Sequence, residues 1–236
     1  MEQKTAIVIG ASTGIGAATA EALAQQYKKI AITSFRHPEK LKEVQQKILA
    51  QGTDCYAETG DAGDFTFVKQ FIEHVTEHFG EKIDLLVNNA GISYVGLLTD
   101  MDETDWKRII DTNITSVFNT CRQVVPYMVH AHKGRIINIS SVWGNVGASC
   151  EVAYSATKGA VNAFTKALAK ELAPSGIAVN AIAFGAIDTT MNGHLSLEEK
   201  TALEEEIPFG RMATEKEAAD FIVTAANAGS YLTGQV

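Results

Sequence analysis

The sequence predicts an α/β protein with one domain, in which a doubly wound parallel sheet carries helices on both faces. Short apolar runs alternate with helix-compatible stretches along the whole chain, and this alternation is typical of right-handed βαβ units. Of the 236 residues, 46% are hydrophobic, which is enough to bury a full core. No repeat or linker divides the sequence, so we expect residues 1–236 to form a single unit. The predicted strands are Thr5 to Ile9, Ile30 to Thr33, Cys55 to Ala57, Ile83 to Val87, Ile136 to Ile139 and Ile177 to Ala183.

The composition excludes several classes of function. A net charge of -8 argues against a nucleic-acid partner, because phosphate binding needs clustered Lys and Arg. The three cysteines are odd in number and lack metal-ligand spacing, which fits a reducing compartment. No apolar signal core or membrane-spanning run occurs, so we expect a cytoplasmic protein without a membrane partner. His74 and His78 lie one turn apart without a third ligand, so we predict no metal site.

The first strand ends in a glycine-rich turn that opens a helix, predicted over Ala17 to Tyr27. Gly10 suits a tight turn, Gly14 lets the backbone approach a diphosphate, and Gly16 lets the helix pack on the strand. The helix amides would then face the phosphates. A plain turn is the alternative, but the position between strand and helix favours a Rossmann-type dinucleotide site. The predicted contacts are Gly10, Ser12, Thr13, Gly14, Ile15 and Gly16.

The end of the second strand indicates which dinucleotide binds. In NAD sites an acidic residue there commonly holds the ribose 2′-hydroxyl, whereas this sequence has Ser34-Phe35-Arg36-His37. A hydroxyl followed by an Arg suits a 2′-phosphate, which a carboxylate would repel. We therefore predict NADP(H) in preference to NAD(H), held by Ser34 and Arg36. The alternative is that Arg36 is an ordinary exposed turn residue.

Two further loops follow predicted strands and should reach the same crevice, because the carboxyl ends of parallel strands face it. Gly60-Asp61-Ala62 follows the third strand, and Asn88-Asn89-Ala90-Gly91 follows the fourth. We predict that Asp61 accepts a hydrogen bond from the adenine amino group. We also predict that Asn88, Ala90 and Gly91 line the adenine-ribose side. Helix caps or turns are the alternative for each loop, since Asn, Asp and Gly are common loop residues.

Tyr154 and Lys158 lie four residues apart on a predicted helix, so they share one face. The pair alone predicts only a half-buried Tyr beside a solvated Lys. With the glycine-rich turn and the Asn88-Asn89-Ala90-Gly91 motif, however, the order and spacing resemble the short-chain dehydrogenase/reductase family. The resemblance covers essentially the whole chain. It adds two residues to the site, Asn113 and Ser141.

The resemblance implies reduction of a ketone by NADPH. Tyr154 would protonate the nascent alkoxide, while Lys158 would lower the Tyr154 pKa and bind the nicotinamide ribose. Ser141 would donate to the substrate carbonyl as an oxyanion-type group. Asn113 would hold a water that links Lys158 to solvent. The alternatives are a strand-end turn for Ser141 and, for Asn113, a polar group that satisfies local backbone in a kinked helix.

The loop after the sixth strand completes the cofactor site that the resemblance implies. Thr189 matches the family position that bonds the nicotinamide carboxamide, and Gly185 and Ile187 are further predicted contacts. The family usually has Pro before this Gly, where the present chain has Phe184. We expect the loss of Pro to loosen the loop without removing backbone contacts to the cofactor.

Two substrate classes are compatible with the sequence. The chain as a whole resembles the 3-oxoacyl-[acyl-carrier-protein] reductase group, whose ketones arrive on an acyl carrier protein. The segments 143–152 and 191–196 resemble the subgroup that reduces a 5-aminopentanone group on a lysine of elongation factor P. In that case Glu151 would meet a cationic substrate. The predicted substrate contacts are Trp143, Cys150 and Glu151.

A non-catalytic NADP(H)-binding sensor is a remote alternative, although a sensor does not need Ser141, Tyr154 and Lys158 together. The resemblance also implies a homotetramer, assembled through the long helices predicted from Thr104 to His132 and from Tyr154 to Pro174. Relatives continue into a further strand, so we expect the final strand to be missing from this chain.

Overall fold

The computed structural model describes residues 3–193 and 195–236 of the chain. Its centre is a parallel sheet in the order β3-β2-β1-β4-β5-β6, which confirms the predicted fold class. The chain extends the sheet outward from β1 and then from β4, so a crevice lies between the carboxyl ends of these two strands. The strands are β1 Thr5–Ile9, β2 Lys29–Ser34, β3 Asp54–Thr59, β4 Leu85–Asn88, β5 Gly134–Ser141 and β6 Ile177–Phe184.

Helices cover both faces of this sheet. They are α1 Gly14–Leu23, α2 Pro38–Ala50, α3 Phe65–Phe79, α4 Glu103–Ile110, α5 Ser116–Ala131, α6 Trp143–Val146, α7 Val152–Leu172, α8 Leu197–Glu206 and α9 Glu215–Ala226. Alternate side chains of a strand point to opposite faces, so β1 contributes to two cores. Ile7 and Ile9 pack with α3, α5 and α7, whereas Ala6 and Val8 pack with α1, α2 and α9.

The helical region before β5 runs from Glu103 to Ala131, close to the predicted Thr104 to His132, but it is not a regular α-helix throughout. A π-helical turn over Asp111–Thr115 separates α4 from α5, and Asn113 is buried within it. Such turns occur frequently at functional sites. The first helix also differs from the prediction, because α1 begins at Gly14 rather than at Ala17.

The chain after β6 forms a small second sheet, in which β7 Ile187–Asp188 pairs in parallel with β8 Ala213–Thr214. Helix α8 lies between these strands in sequence and contains no buried residue. The C-terminal segment runs beside β6, where Gly234 N donates to Val179 O at 2.8 Å. Over residues 3–193 and 195–236, no helix has both the length and the apolar character needed to cross a membrane.

Candidate active site

The glycine-rich turn after β1 packs tightly against the loop after β4. Gly10 has a φ of +81°, and its N–H donates to Thr33 O at 2.8 Å. A Cβ on Gly10 would lie 2.7 Å from the backbone of Ala90, and a Cβ on Gly16 would lie 2.1 Å from Gly10 O. Asn89 Nδ2 closes the arrangement by donating to Gly10 O at 2.8 Å. Side chains at these two glycines are therefore excluded by backbone contacts.

The turn leaves the first amides of α1 open to a ligand. The N-cap residue Thr13 makes no side-chain capping hydrogen bond, and the first turn of α1 contains no acidic residue. Gly14 has a φ of +63°, and a Cβ built there would come no nearer than 3.8 Å to another residue, at Thr189 and Glu215. Open amides beside a glycine are the features that bind a diphosphate. The residues present therefore fit a dinucleotide, and Thr189 lies beside the turn as predicted.

The end of β2 presents hydroxyls and a guanidinium. Ser34 Oγ donates to Arg36 O at 2.8 Å, so its 2.8 Å contact with Ser12 Oγ must be one in which Ser12 donates. Arg36 is exposed, and no carboxylate in the described part of the chain pairs with it. Backbone strain follows at once, because His37 adopts a left-handed φ of 60°. This strand end thus offers positive charge without a competing carboxylate.

The Asn88 side chain is engaged inside the protein. It lies in a buried network, where Oδ1 accepts from Thr120 Oγ1 at 2.7 Å and Nδ2 donates to Asn138 Oδ1 at 2.9 Å. These bonds occupy the side-chain amide, so the predicted contact of Asn88 with the adenine-ribose side would be made by its backbone. Asp61 is partly exposed, and one of its carboxylate oxygens accepts from Gly63 N at 2.8 Å.

The three residues predicted to carry the chemistry meet at the carboxyl end of β5. Ser141 ends this strand, and Tyr154 and Lys158 lie one turn apart near the start of α7. The Ser141 hydroxyl lies close enough to the Tyr154 phenol to lower its pKa, and it accepts a hydrogen bond from Trp143 N at 3.2 Å. Lys158 Nζ lies 5.5 Å from the centre of the Tyr154 ring.

Burial is the main influence on the pKa values of Lys158 and Tyr154. Lys158 is buried, its Nζ donates to Ile139 O at 2.8 Å, and burial lowers its pKa to about 8. The Tyr154 pKa is raised, mainly by burial and further by the charge of Glu151, whereas the Ser141 hydrogen bond lowers it. Lys158 is not among the causes of this rise, so the lowering of the Tyr154 pKa by Lys158 stays a prediction. Burial raises the Tyr154 pKa by more than the Ser141 hydroxyl lowers it. The Lys158 ammonium donates its hydrogen bond to Ile139 O in β5.

Asn113 joins the loop after β4 to α7. Its Oδ1 accepts from Ile92 N and its Nδ2 donates to Ile92 O, each at 2.8 Å. The same Nδ2 donates to Thr157 Oγ1 at 3.1 Å. A Cβ built on Gly91 would lie 3.4 Å from Lys158 Nζ and 3.6 Å from Asn113 Oδ1, so these two side chains approach the same backbone. Asn113 therefore bonds the backbone of Ile92, 21 residues away, rather than the backbone of its own helix as the alternative held, and it also lies beside Lys158.

The predicted substrate residues surround the turn before α7. Cys150 has a left-handed φ of 62°, and its carbonyl accepts from Gly96 N at 2.8 Å. Glu151 is the N-cap residue of α7, and its charge acts on the Tyr154 phenol. Trp143 is partly exposed at the start of α6.

The three predicted cofactor residues after β6 differ in their exposure. Gly185 is exposed, Ile187 is buried in β7, and Thr189 approaches the glycine-rich turn. His194, within the predicted segment 191–196, lies outside the described residues. His74 and His78 lie on an exposed helix face, 2.9 and 3.4 Å from carboxylates of Glu58 and Asp54.

Sequence reasoning missed two residues of this region. Thr157 lies between Tyr154 and Lys158 in sequence, and its place inside the motif was the only available signal. Glu215 begins α9 and reaches the glycine-rich turn, where burial and the nearby Asp188 charge raise its pKa. Nothing in the local sequence marks Glu215, because the approach depends on how β8 places α9.

Comparison with known proteins supports this geometry. The family described as short chain dehydrogenase matches residues 4–200. "3-oxoacyl-[acyl-carrier-protein] reductase FabG" of Staphylococcus aureus is 40% identical over 233 residues, which cover 98% of this chain and 94% of the relative. The Vibrio cholerae protein of the same name is 35% identical and covers 100% and 95%. A variant of actinorhodin polyketide ketoreductase with NADPH superposes with a TM-score of 0.92 at 30% identity, covering 99% of this chain and 94% of that one. The chain therefore belongs to the short-chain dehydrogenase family of oxidoreductases.

Proposed function

We propose that this protein uses NADPH to reduce a ketone to a secondary alcohol, with Tyr154 as the general acid. The observation that carries the proposal is the meeting of Ser141, Tyr154 and Lys158 at the carboxyl end of β5. The site lies at the crevice edge of the sheet, next to open helix amides suited to a dinucleotide. When bound, the nicotinamide ring supplies the hydride for the carbonyl carbon.

Ser141 and Tyr154 would act together on the carbonyl oxygen. Both hydroxyls can donate to this oxygen as negative charge develops on it, which stabilises the transition state. At neutral pH the Tyr154 phenol carries the proton that a general acid must donate. Tyr154 Oη then transfers that proton to the alkoxide oxygen.

Lys158 and Asn113 would restore the proton to Tyr154. A Lys158 pKa of about 8 lets its ammonium exchange a proton near neutral pH, which a lysine at its ordinary pKa does poorly. Asn113 lies beside this ammonium and would hold a water that connects it with solvent. Lys158 would in addition bind the nicotinamide ribose, since its bond to Ile139 O uses only one of its three N–H donors.

The remaining cofactor contacts follow from position. The glycine-rich turn would hold the diphosphate, Asp61 the adenine amino group, and Ala90 and Gly91 the ribose side. Gly185, Ile187 and Thr189 would contact the nicotinamide. Ser34 and Arg36 would bind the 2′-phosphate, and the lack of a carboxylate at this strand end supports NADPH over NADH.

A 3-oxoacyl thioester on an acyl carrier protein is the substrate class that we propose first. Two relatives named for this activity align over nearly the whole chain. The apolar Val95 and Leu97 flank Gly96, whose N–H bonds the Cys150 carbonyl, so exposed apolar side chains lie near the turn before α7. These side chains suit an acyl chain better than a polar substrate.

A ketone with an amino group, such as an aminopentanone on elongation factor P, is the second candidate. The specific observation in its favour is the Glu151 charge, which acts on the Tyr154 phenol and so lies close to the reacting atoms. Glu151→Gln should then raise the KM for an amino-ketone and leave the KM for a neutral ketone unchanged. Equal effects on both ketones would remove this candidate.

The function is tested by following nicotinamide absorbance at 340 nm with a panel of ketones. The panel contains a 3-oxoacyl thioester, a neutral short ketone and an amino-ketone, each with NADPH and with NADH. We expect turnover with NADPH for at least one ketone and a loss of about 100-fold or more in Ser141→Ala. Binding of NADPH without turnover of any ketone would favour the sensor instead.

We also propose a homotetramer. Trp106 on α4 and Phe118 on α5 are large exposed apolar side chains, which support assembly through this helical region. The mass in solution, measured by light scattering, tests this assembly.

A further inference from the structure

Thr157 connects two parts of the proposed site and belongs to none of its assigned roles. It lies on α7 between Tyr154 and Lys158 in sequence and is 1% exposed. Its Oγ1 donates to Tyr154 O at 2.8 Å and accepts from Asn113 Nδ2 at 3.1 Å. The Tyr154 carbonyl is also the one that an α-helix offers to the amide of residue 158. The hydroxyl therefore bonds Asn113 to the helical turn that carries the predicted acid and its lysine.

The chemistry of these bonds fixes the orientation of the Asn113 amide. A carbonyl can only accept, so the single Thr157 hydroxyl proton is used on Tyr154 O. Thr157 must then accept from Asn113, and the atom that faces it has to be Nδ2. On the other side, Oδ1 takes the Ile92 N–H and Nδ2 takes the Ile92 carbonyl. Both Nδ2 protons are thus used, and Asn113 can present only one orientation to its surroundings.

Removal of the hydroxyl would take away one of the three hydrogen bonds that hold this amide, while the two bonds to Ile92 remain. One Asn113 Nδ2 proton would be left without a partner at a position that is 1% exposed, and an unpaired buried donor drives rearrangement. Asn113 lies in the π-helical turn between α4 and α5, where the backbone has an alternative helical geometry available. The amide would therefore shift relative to Lys158, although no group that touches substrate has changed.

We propose that Thr157 is a positioning residue, which holds Asn113 in the orientation that the proton relay to Lys158 and Tyr154 needs. The inference rests on the proposed function, because it concerns the relay of that reaction. In the proposed mechanism, Thr157 contacts neither the ketone nor the cofactor. Its removal should slow proton supply without weakening either ligand.

The test compares Thr157→Val, which is nearly isosteric, with Thr165→Val on the same helix. Thr165 Oγ1 accepts from the buried Asn138 Nδ2 at 2.9 Å, so it loses the same kind of bond away from the site. We expect Thr157→Val to lower kcat about tenfold, while KM for the ketone and the Kd of NADPH stay within about twofold. In the pH profile of kcat, the alkaline limb should move to lower pH, because few protons are available at high pH and a weakened relay supplies them too slowly. Thr157→Ser should restore both the rate and the profile.

Three results would overturn the inference. They are a kcat in Thr157→Val no lower than in Thr165→Val, an unchanged alkaline limb, and a failure of Thr157→Ser to restore the rate. If Thr157→Val does not fold, Thr157→Ala removes the same hydroxyl with a residue that favours helix. Tyr154→Phe tests the proposed function separately from the role of Thr157, because retained activity in that variant would refute the proposed function itself.

Discussion

The buried Lys158 is expected to lower the free energy of unfolding of the protein, and this effect can be measured. A pKa that falls from its ordinary 10.5 to about 8 corresponds to about 3 kcal/mol for keeping the buried ammonium charged at neutral pH. The hydrogen bond from Nζ to Ile139 O returns about 1 to 2 kcal/mol of this. Lys158→Met keeps the length of the side chain without the charge, so it should stabilise the cofactor-free protein by about 1 to 2 kcal/mol at pH 7.

The sign of the pH dependence follows from linkage. The unfolded chain keeps the Lys158 proton up to its ordinary pKa near 10.5, whereas the folded protein releases it near 8. Wild-type stability should therefore rise relative to Lys158→Met between these pH values, because the unfolded state binds more protons there. At pH 10 the advantage of the variant should be absent.

Thermal unfolding followed by circular dichroism at pH 7 and pH 10 measures this difference. At about 2 to 4 °C per kcal/mol for a chain of this size, we expect the variant to melt about 2 to 8 °C above wild type at pH 7. Lys166→Met is the matched control, because Lys166 is exposed on the same helix and should show no such pH dependence. A variant that melts several degrees below wild type at both pH values would refute the reasoning.

Three other predictions test separate parts of the site. Arg36→Ala should weaken NADPH about tenfold or more in fluorescence titrations and leave NADH unchanged, and equal losses for both would contradict a 2′-phosphate contact. Glu215→Gln should tighten NADPH about fivefold at pH 7, because its carboxylate approaches the glycine-rich turn. This gain should fade as the pH falls through the raised Glu215 pKa, and a pH-independent gain would exclude a charge effect. Asn88→Ala should lower the free energy of unfolding by about 1 to 3 kcal/mol, since it leaves the buried Asn138 Oδ1 without its donor, whereas Thr120 can still donate to Ser116 O. Its NADPH Kd should not change, and a large change would indicate that the Asn88 side chain contacts the cofactor.

The sheet and the glycine-rich turn were predictable because their determinants are local. Apolar runs mark buried parallel strands, and β1 was predicted over Thr5–Ile9 as the structure has it. At the turn, the spacing of the glycines reflects backbone contacts with Ala90 and Gly10 that no larger residue permits. Sequence was therefore a good guide wherever a residue type is required by its own backbone or by its strand.

The features that sequence missed depend on contacts between distant parts of the chain. The π-helical turn at Asn113 is bonded to Ile92, 21 residues away, so helical periodicity around it gave no warning. The engagement of the Asn88 side chain was not predicted because its partner Asn138 follows it by 50 residues. The rise in the Tyr154 pKa depends on burial, which cannot be read from a motif that names only the neighbouring cation.

The central claim is that the Tyr154 hydroxyl donates the proton that completes ketone reduction. The most direct test is the rate of NADPH consumption at 340 nm by Tyr154→Phe, with the ketone that wild type reduces fastest. We expect a kcat lower by about 100-fold to 10,000-fold and an NADPH Kd close to that of wild type. A Tyr154→Phe protein that keeps more than about a tenth of the wild-type rate would contradict it.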